Sequence, residues 1–496
     1  MNPDVYEGFI KSAQILSLLA TCTGSFIGLI VGMIPGMTIS AGIIIVLPLT
    51  FVLPPSISIS LLLGLYAGGM MGGSFSAILL KIPGTPSASA TALDGYPMAN
   101  SGKADVALST AIISSFLGGL FSFICLYFIA PELAEVALSF RAPDLFSLVF
   151  FGLSVICSFA AKSIIKGLLS GIIGLLFVSV GQDPVMGTER FTFGNPDLLS
   201  GIHFLTALIG LFAIPQLADN LSSSVKNFNH KTKDSKLKDL LPSLMNFKIM
   251  RFPILIGSFL GTFIGILPGA GGPIAAFLSY DYAKKINKNP KQFGEGCVEG
   301  IAAPESANNA VCGGALIPMM TLGIPGDPVT AILIGALLVH GLAPGPLLFM
   351  EQAPFAYSVI FSFFWANLFN LLIAMSTLPL LIKLLKTPKS LLLPIIAVLC
   401  VVGSFALRNS FFDVYIMFSF GLLGLFMKWL DMPVVPLLLA LVLGKQLEEH
   451  LRIALTSSQG DISIFFTSPI SVFFLCLSAI SILWPIFFRR RKKLSN

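Results

Sequence analysis

The feature that most constrains this chain is a series of long, continuous apolar runs, of which residues 355–386 and 462–488 are two. Each run is long enough for a membrane-spanning helix, which needs about 20 mostly apolar residues. Inside lipid the backbone must satisfy its own polar groups, so only helices and closed barrels can span. A barrel strand alternates in polarity over segments of about ten residues, and these runs do not. We predict an all-α polytopic membrane protein with about ten to twelve transmembrane helices.

Composition supports this class and excludes others. Of 496 residues, 55% are hydrophobic and only 11% are charged, and the mean hydropathy is +0.90. These values exclude water-soluble globular, disordered, collagen-like and nucleic-acid-binding proteins. The 46 glycines and 32 prolines are many for a helical protein, so we expect interrupted helices.

Basic residues concentrate in two places and predict the domain organisation. Residues 226–251 contain seven Lys or Arg and two Asp, and five basic residues follow one another at 489–493. Basic loops stay in the cytoplasm, so we place both segments there. The chain then divides into an N-terminal transmembrane repeat (1–230), a basic cytoplasmic linker (231–250) and a C-terminal transmembrane repeat (251–496) with a basic cytoplasmic tail.

The two repeats are visible as internal similarity. Residues 24–36 match residues 257–269 without a gap, and seven of the thirteen positions are identical. A second pair of landmarks follows in the same order, because Ile82-Pro83-Gly84 is matched by Ile324-Pro325-Gly326. The chain is therefore a duplicated unit. We expect the two repeats to be inverted relative to one another.

Pro-Gly pairs interrupt apolar runs at equivalent places in both repeats. Backbone that leaves helical geometry inside a bilayer must line a wet cavity or be buried in protein, and secondary transporters place their sites at such breaks. Residues 252–280 are flanked by lysines and arginines on both sides and are too short to cross twice, so we predict a re-entrant hairpin, with residues 16–55 as its partner. The alternative for Gly24, Gly28 and Gly32 is that they only allow close helix packing.

The densest polar cluster is at 294–310, where Asn308 and Asn309 enter an apolar segment. A carboxamide offers both an acceptor oxygen and donor N–H groups, so this pair suits a substrate carboxylate and a hard cation. Glu305 follows Pro304 near a predicted helix start. It either contributes to the cation site or caps that helix.

Hydroxyl groups and free backbone N–H groups at the breaks can hold an anion without a charged side chain. Lys81, just before the first Ile-Pro-Gly, is either a substrate counter-ion or a lysine at a span end. Asp327 and Asp413 are either intramembrane acids or, as we expect, residues at helix ends. The predicted substrate-binding residues are Pro35, Gly36, Ser74, Pro83, Gly84, Pro268, Gly269, Asn308, Asn309, Pro325 and Gly326, and the predicted coupling-ion residues are Asn308 and Glu305.

The sequence offers no basis for enzymatic chemistry. The four histidines lack metal-ligand spacing, and neither a Ser/His/Asp set nor an HExxH motif occurs. We expect no catalytic residue, no metal site and no cofactor. His340 is interpreted either as a proton relay or as a packed side chain.

Four motifs, in the right order and spread over nearly the whole chain, closely resemble the large membrane subunit of the tripartite tricarboxylate transporters, the TctA family. They are 32–36 (GMIPG), 94–99 (DGYPMA), 299–310 (EGIAAPESANNA) and 341–346 (GLAPGP). The resemblance implies a permease of the bacterial inner membrane coupled to a Na⁺ or H⁺ gradient. It also implies two partners, a small four-helix membrane subunit (TctB-like) and a periplasmic binding protein (TctC-like). Lys81 departs from the family pattern, in which Asn is frequent at that position.

Together these observations predict a large permease subunit of a binding-protein-dependent symport system that imports citrate, other tricarboxylates or related small carboxylates. The alternative is a passive channel or permease for small organic anions, for which broken helices also suffice.

Overall fold

The computed structural model describes residues 3–34, 37–159, 164–183, 187–222, 244–269, 271–384 and 389–494. Helices dominate this part of the chain, and its strands are limited to one two-residue antiparallel pair. The prediction of an all-α polytopic membrane protein is confirmed. Pro35, Gly36 and linker residues 231–243 lie outside the described residues.

The helices of the first half are α1 (Pro3–Ala13), α2 (Ile15–Met33), α3 (Ile39–Thr50), α4 (Pro55–Leu80), α5 (Ala92–Met98), α6 (Ala104–Ala137), α7 (Ala142–Phe159), α8 (Ile164–Val178) and α9 (Phe204–Ser222). The strands β1 (Gly181–Gln182) and β2 (Glu189–Arg190) lie between α8 and α9. Short 3₁₀ helices occur at Pro86–Ser89, Pro196–Leu198 and Pro290–Gln292, and a π-helical turn at Ala99–Lys103.

The helices of the second half are α10 (Leu244–Ile266), α11 (Gly271–Ile286), α12 (Glu299–Leu322), α13 (Pro328–Val339), α14 (Pro346–Glu351), α15 (Ala353–Leu384), α16 (Lys389–Ala406), α17 (Phe411–Trp429), α18 (Val435–Ser457), α19 (Ile464–Thr467) and α20 (Pro469–Leu494). Within the described ranges, six helices are long and apolar enough to cross a membrane, and seven more apolar helices are shorter.

In the first repeat, α2 and α3 form a helical hairpin. Helix α2 ends at Met33, and α3 starts after Thr38, whose hydroxyl accepts the Ala41 N–H and so caps the new helix. Helix α2 packs closely along α4. A Cβ atom on Gly28 would overlap the Leu65 carbonyl oxygen, so the two backbones approach as closely as glycine allows.

The second repeat has the same construction. Helices α10 and α11 form a hairpin that turns through Gly269 (φ +77°) and Gly271 (φ +65°), which confirms the predicted break. A Cβ atom on Gly261, the equivalent of Gly28, would overlap the Ala307 carbonyl oxygen on α12. The equivalent contacts agree with the internal repeat seen in the sequence. They also show that these GxxxG glycines serve close packing, which was the alternative interpretation.

The Ile-Pro-Gly breaks also correspond. Gly84 packs on the Gly32 carbonyl oxygen, and Gly326 packs on the carbonyl oxygen of Gly265, the residue equivalent to Gly32. Across the halves, α11 contacts the 3₁₀ helix at Pro86–Ser89, and α3 contacts α13. The second helix of each hairpin, α3 or α11, therefore packs on the segment that follows the Ile-Pro-Gly break of the other half.

The chain folds into two compact units, and each contains segments of both repeats. Unit 1 comprises Met1–Leu133, Gln216–Leu267 and Gly271–Leu399, and unit 2 comprises Ala134–Pro215, Pro268–Ala270 and Cys400–Asn496. A core of unit 1 includes Leu29, Met71, Phe75 and Ile301, and a core of unit 2 includes Leu211, Phe420 and Leu437. The site described below lies within unit 1.

One predicted boundary is wrong. We expected a helix to start near Glu305, but α12 already starts at Glu299 and continues through Pro304. A proline after the first turn removes one backbone hydrogen bond, yet the residues on either side still pair, so the helix continues. Asn308 and Asn309 consequently lie in continuous helix, and they contribute side chains rather than free backbone groups.

Candidate ligand-binding site

Three of the predicted polar residues share one face of α12. Glu305, Asn308 and Asn309 are spaced i, i+3 and i+4, which brings their side chains to neighbouring positions on a helix surface. All three are buried, with at most 1% of their surface exposed. Polar side chains so deeply buried need hydrogen-bond partners. The asparagines and the glutamate differ in which of their atoms have one.

The two asparagines satisfy only their nitrogens. Asn308 Nδ2 donates to the Met70 carbonyl oxygen on α4 at 3.0 Å, and Asn309 Nδ2 donates to the Glu305 carbonyl oxygen at 3.4 Å. The Oδ1 atoms of both residues are buried and accept no hydrogen bond from any residue that the structure describes. An unsatisfied buried acceptor costs about 1–3 kcal/mol, so both oxygens are suited to a ligand that is electropositive.

Glu305 is held by two hydroxyl groups from the first half. Thr91 donates to Oε1, and Ser115 on α6 donates to Oε2 at 2.9 Å. Within the described ranges, no lysine, arginine or histidine pairs with this carboxylate. Burying a carboxylate without a counter-charge is costly, so a bound cation or proton would stabilise this site.

The start of α11 lies beside Asn308. Gly272 is the second residue of α11, and a Cβ atom placed on it would overlap Ser87 Oγ and lie 3.3 Å from Asn308 Oδ1. The first N–H groups of a helix have no partner within it and attract anions. Donors from the backbone and from Ser87 therefore meet an acceptor from Asn308 in one small space.

These contacts form two layers, which we call the polar seam: Ser87 beside Asn308, and Thr91 bonded to Glu305. Ser87 and Thr91 are four residues apart in the first half, and Asn308 and Glu305 are three apart in the second. The two segments run in opposite directions past one another. The polar seam thus joins the two repeats and offers hydroxyl, amide and carboxylate oxygens without a basic side chain.

The first Ile-Pro-Gly break determines the position of Ser87 and Thr91, the first-half residues of the polar seam. Helix α4 ends at Leu80, Lys81 takes up a left-handed conformation (φ +57°), and the Gly84 N–H donates to the Gly73 carbonyl oxygen at 3.2 Å. The unwound chain therefore folds back along α4. Thr85 Oγ1, next to this turn, is buried and has no hydrogen-bond partner within the described part of the chain.

The remaining predicted residues occupy several positions. Pro83 adjoins this turn, Pro268 and Gly269 lie in the turn between α10 and α11, and Pro325 is buried at the second break. Ser74 is buried and donates to the Met71 carbonyl oxygen of its own helix at 2.7 Å. Among the predicted residues that the structure describes, only Asn308 and Glu305 belong to the two layers of the seam.

The charged residues singled out from the sequence lie at helix ends. Lys81 is exposed, and its Nζ lies 5.4 Å from the centre of the Tyr96 ring. Asp327 caps α13 and also accepts a hydrogen bond from Tyr66, while Asp413 is in the first turn of α17. The prediction of helix-end positions for both aspartates is confirmed. His340 follows the last residue of α13.

Sequence reasoning missed Ser87 and Thr91 as site residues. Their signal was present: two hydroxyl residues four apart, directly after the first Ile-Pro-Gly break. Nothing in a one-dimensional pattern indicated that this short segment faces α12 of the other repeat.

Comparison with known proteins gives a family match over most of the chain. The model described as the tripartite tricarboxylate transporter TctA family matches residues 18–439. An uncharacterized 52.8 kDa protein in the TAR-I ttuC' 3' region of Agrobacterium vitis is 38% identical over 470 residues, 95% of this chain and 93% of its own length. An uncharacterized protein in the TAR-II ttuC' 3' region of that organism is 39% identical over 223 residues, 45% of this chain and 92% of its own. No solved structure matches the chain.

Proposed function

The chain belongs to the tripartite tricarboxylate transporter TctA family, and from this membership we propose that it is the large permease subunit of a secondary transporter that imports tricarboxylates or related small carboxylates. The family is one of transporter components within a tripartite system.

In the proposed system the chain works with a small four-helix membrane subunit and with a periplasmic binding protein that delivers the carboxylate. The chain itself lies in the bacterial inner membrane. Its basic linker and basic tail favour a cytoplasmic C-terminus, because loops rich in Lys and Arg are retained on that side.

One observation carries the site assignment: Asn308 Oδ1 is buried without a partner beside the start of α11. A substrate carboxylate would accept hydrogen bonds from the first backbone N–H groups of α11 and from the Ser87 hydroxyl. An acceptor oxygen repels a carboxylate, so Asn308 Oδ1 would instead face the coupling cation. Substrate and cation would then lie side by side at the polar seam.

Glu305 supplies the negative charge that makes the cation necessary. Asn308 and Glu305 are neighbours on one helix face, where such positions are about 6 Å apart. A carboxylate bound beside Asn308 would therefore lie at about this distance from the Glu305 carboxylate. At that distance, and at the effective dielectric constant of a protein site, two like charges repel by roughly 3 kcal/mol. An uncompensated Glu305 would therefore weaken carboxylate binding about 100-fold. Na⁺, or a proton on Glu305, would remove this repulsion and so couple the substrate to the ion gradient.

The proposal is tested by uptake of labelled citrate into proteoliposomes that contain all three components. We expect accumulation above the external concentration when a Na⁺ or H⁺ gradient is imposed. Replacing Na⁺ by choline at fixed pH identifies which ion is used. A passive channel would let citrate equilibrate but not accumulate, so uptake that stops at equal concentrations would favour the alternative function.

The site assignment is tested in the same assay. Asn308→Ala and Asn309→Ala should reduce uptake by about two orders of magnitude while leaving the amount and size of the purified complex unchanged. Ser279→Ala is a matched control, because Ser279 is buried on α11 and its hydroxyl bonds only its own helix. Normal uptake by Asn308→Ala would remove the assignment.

A further inference from the structure

Asp94 lies one step beyond the polar seam and belongs to the same first-half segment. Ser87, Thr91 and Asp94 are spaced i, i+4 and i+7, and each contacts the second repeat. Asp94 is fully buried, although it is a carboxylate. Neither the ligand site nor the coupling mechanism proposed above uses it.

Four donors from the second repeat surround the Asp94 carboxylate. The backbone N–H groups of Gly294, Gly296 and Cys297 all donate to Oδ1 at 2.9 Å, and the Tyr280 hydroxyl donates to Oδ2 at 2.8 Å. Three backbone N–H groups converging on one oxygen form a nest, a backbone arrangement that favours anions. The protein fills this nest with its own side chain.

The loop before α12 takes a shape that fits this carboxylate closely. Gly294 (φ +96°) and Gly296 (φ +101°) are both in left-handed conformations, which turn successive N–H groups toward one point. A Cβ atom on Gly300, in the first turn of α12, would overlap Asp94 Oδ2. Glycine at all three positions lets the loop and the helix start close around Asp94.

The donors belong to the two elements that frame the ligand site. Tyr280 is on α11, whose start at Gly272 adjoins Ser87, and the loop 294–297 leads directly into α12, which carries Asn308. Both elements are therefore fixed to one carboxylate of the first repeat. A shift of the loop would move α12 along the seam and change the distance between Asn308 and the start of α11.

We propose that Asp94 is a positioning residue, which sets the spacing between the start of α11 and Asn308 by holding α11 and the loop before α12 through four hydrogen bonds. This inference rests on the proposed ligand site at the polar seam. Asp94 touches neither substrate nor cation. Its effect on transport is transmitted through the elements it holds.

The test compares Asp94→Asn with Asp94→Ala. An asparagine keeps an oxygen that accepts the three backbone N–H groups, and its amide can donate to the Tyr280 oxygen, so the geometry should persist. We expect Asp94→Asn to transport labelled citrate with a KM within about threefold of the wild type. Asp94→Ala should raise KM about 10- to 100-fold per correctly folded molecule, because small displacements of binding groups have effects of this size.

Two further variants, Gly300→Ala and Tyr280→Phe, distinguish a positioning effect from misfolding of Asp94→Ala. Gly300→Ala presses on Asp94 without removing a hydrogen-bonding group, and Tyr280→Phe removes one of the four donors. Both should raise KM in the same direction as Asp94→Ala. Wild-type KM in Asp94→Ala and Gly300→Ala, or an Asp94→Asn variant as defective as Asp94→Ala, would overturn the inference.

Hydrogen exchange of the purified chain tests the same inference without transport. A local structural role predicts faster exchange in Asp94→Ala only within 294–300. The positioning role predicts faster exchange also at 271–275 and 305–309, which are remote from the substitution. Transport by Asn308→Ala is measured alongside. If Asn308→Ala transports normally while exchange in Asp94→Ala rises at 271–275 and 305–309, the ligand site is wrong and the positioning role of Asp94 stands. Exchange confined to 294–300 would contradict the positioning role.

Discussion

At the scale of single residues, we propose different roles for the two hydroxyl groups of the polar seam, those of Ser87 and Thr91. Ser87 adjoins the start of α11 and Asn308 Oδ1, where the carboxylate is proposed to bind. Thr91 donates to Glu305, where the cation is proposed to bind. Because they lie in different layers, the two hydroxyls should affect different ligands.

This division gives the first prediction. Ser87→Ala should raise the half-saturating concentration of labelled citrate about tenfold at saturating coupling ion, because one hydrogen bond to a charged group is worth about 1.5 kcal/mol or more. Thr91→Val should instead raise the half-saturating concentration of the coupling ion. The measurement is initial uptake with each ligand varied in turn. Equal effects of both substitutions on both ligands would contradict the separation.

Part of the site was predictable from residue chemistry. Asn308 and Asn309 stood out because adjacent carboxamides entering an apolar segment need partners, and Glu305 because it follows Pro304 near a predicted helix start. Ser87 and Thr91 were not predicted, since serine and threonine are frequent in membrane helices and most of their hydroxyls bond their own backbone, as that of Ser74 does. Their role depends on a contact between repeats, which no local pattern encodes.

At the scale of elements, the duplicated helix pairs determine where the breaks lie. Helix α2 packs on α4 and α10 packs on α12 through glycines at equivalent positions. Close backbone approach lets each Ile-Pro-Gly turn fold back onto the preceding hairpin. Gly84 of the first break and residues 323–326 of the second are thereby buried in protein, as unwound backbone in a membrane must be unless it lines a wet cavity.

The second prediction concerns these glycines. Gly28→Ala and Gly261→Ala should each lower the thermal unfolding temperature in detergent, and by similar amounts, because both methyl groups would overlap a carbonyl oxygen of the facing helix. An overpacked interface costs about 1–3 kcal/mol. Leu422→Ala, at an exposed side chain, is the control and should have little effect. A loss in only one repeat would show that the two helix pairs are not equivalent in energy.

The third prediction concerns an ion cluster of unit 2. Arg190 on β2 donates two hydrogen bonds to Glu448 in the charged part of α18, and this holds the pKa of Glu448 below its usual value. A lowered carboxyl pKa contributes stability above the unfolded-state pKa, and this contribution is lost as the pH falls through the folded-state pKa. The unfolding temperatures of wild type and Glu448→Gln should differ by roughly 2–4 °C at pH 7. The difference should begin to shrink as the pH falls through the unfolded-state pKa and vanish only below the folded-state pKa of Glu448. A difference that persists at low pH would contradict this origin.

Element boundaries were only partly readable from sequence. Both Pro-Gly hairpin breaks were predicted, because glycine and proline act locally on the backbone. The sequence predicts the start of α12 several residues too late, because proline is frequent in the first turn of a helix. A proline marks a helix start only when the preceding residues cannot pair, and here 299–303 are already helical.

At the scale of the whole molecule, duplication was the strongest signal in the sequence, and the two compact units were not predictable from it. Each unit draws on both repeats, so the boundary between the repeats along the sequence does not coincide with the boundary between the compact units. The units are formed by contacts between segments that are far apart in the sequence, and no local pattern predicts such contacts. The polar seam belongs to unit 1, where segments of both repeats meet.

The fourth prediction concerns the orientation of the repeats, which we expect to be inverted. Val52, after the end of α3, and Lys285, near the end of α11, are equivalent positions, and both are exposed. In intact cells, Val52→Cys should react with a membrane-impermeant thiol reagent from the outside, and Lys285→Cys should react only after the cells are opened. Labelling of both from the same side would show parallel repeats.

The polar seam as a shared site for a carboxylate and its coupling ion is tested most directly by equilibrium binding of labelled citrate to the purified complex, with and without the coupling ion. Gly272→Ala is the decisive variant, because its methyl group would occupy the space between Ser87 and Asn308 and add no charge. We predict saturable, ion-dependent binding in the wild type and in Ser279→Ala, and its loss in Gly272→Ala. Unchanged binding in Gly272→Ala would place the carboxylate elsewhere in the molecule.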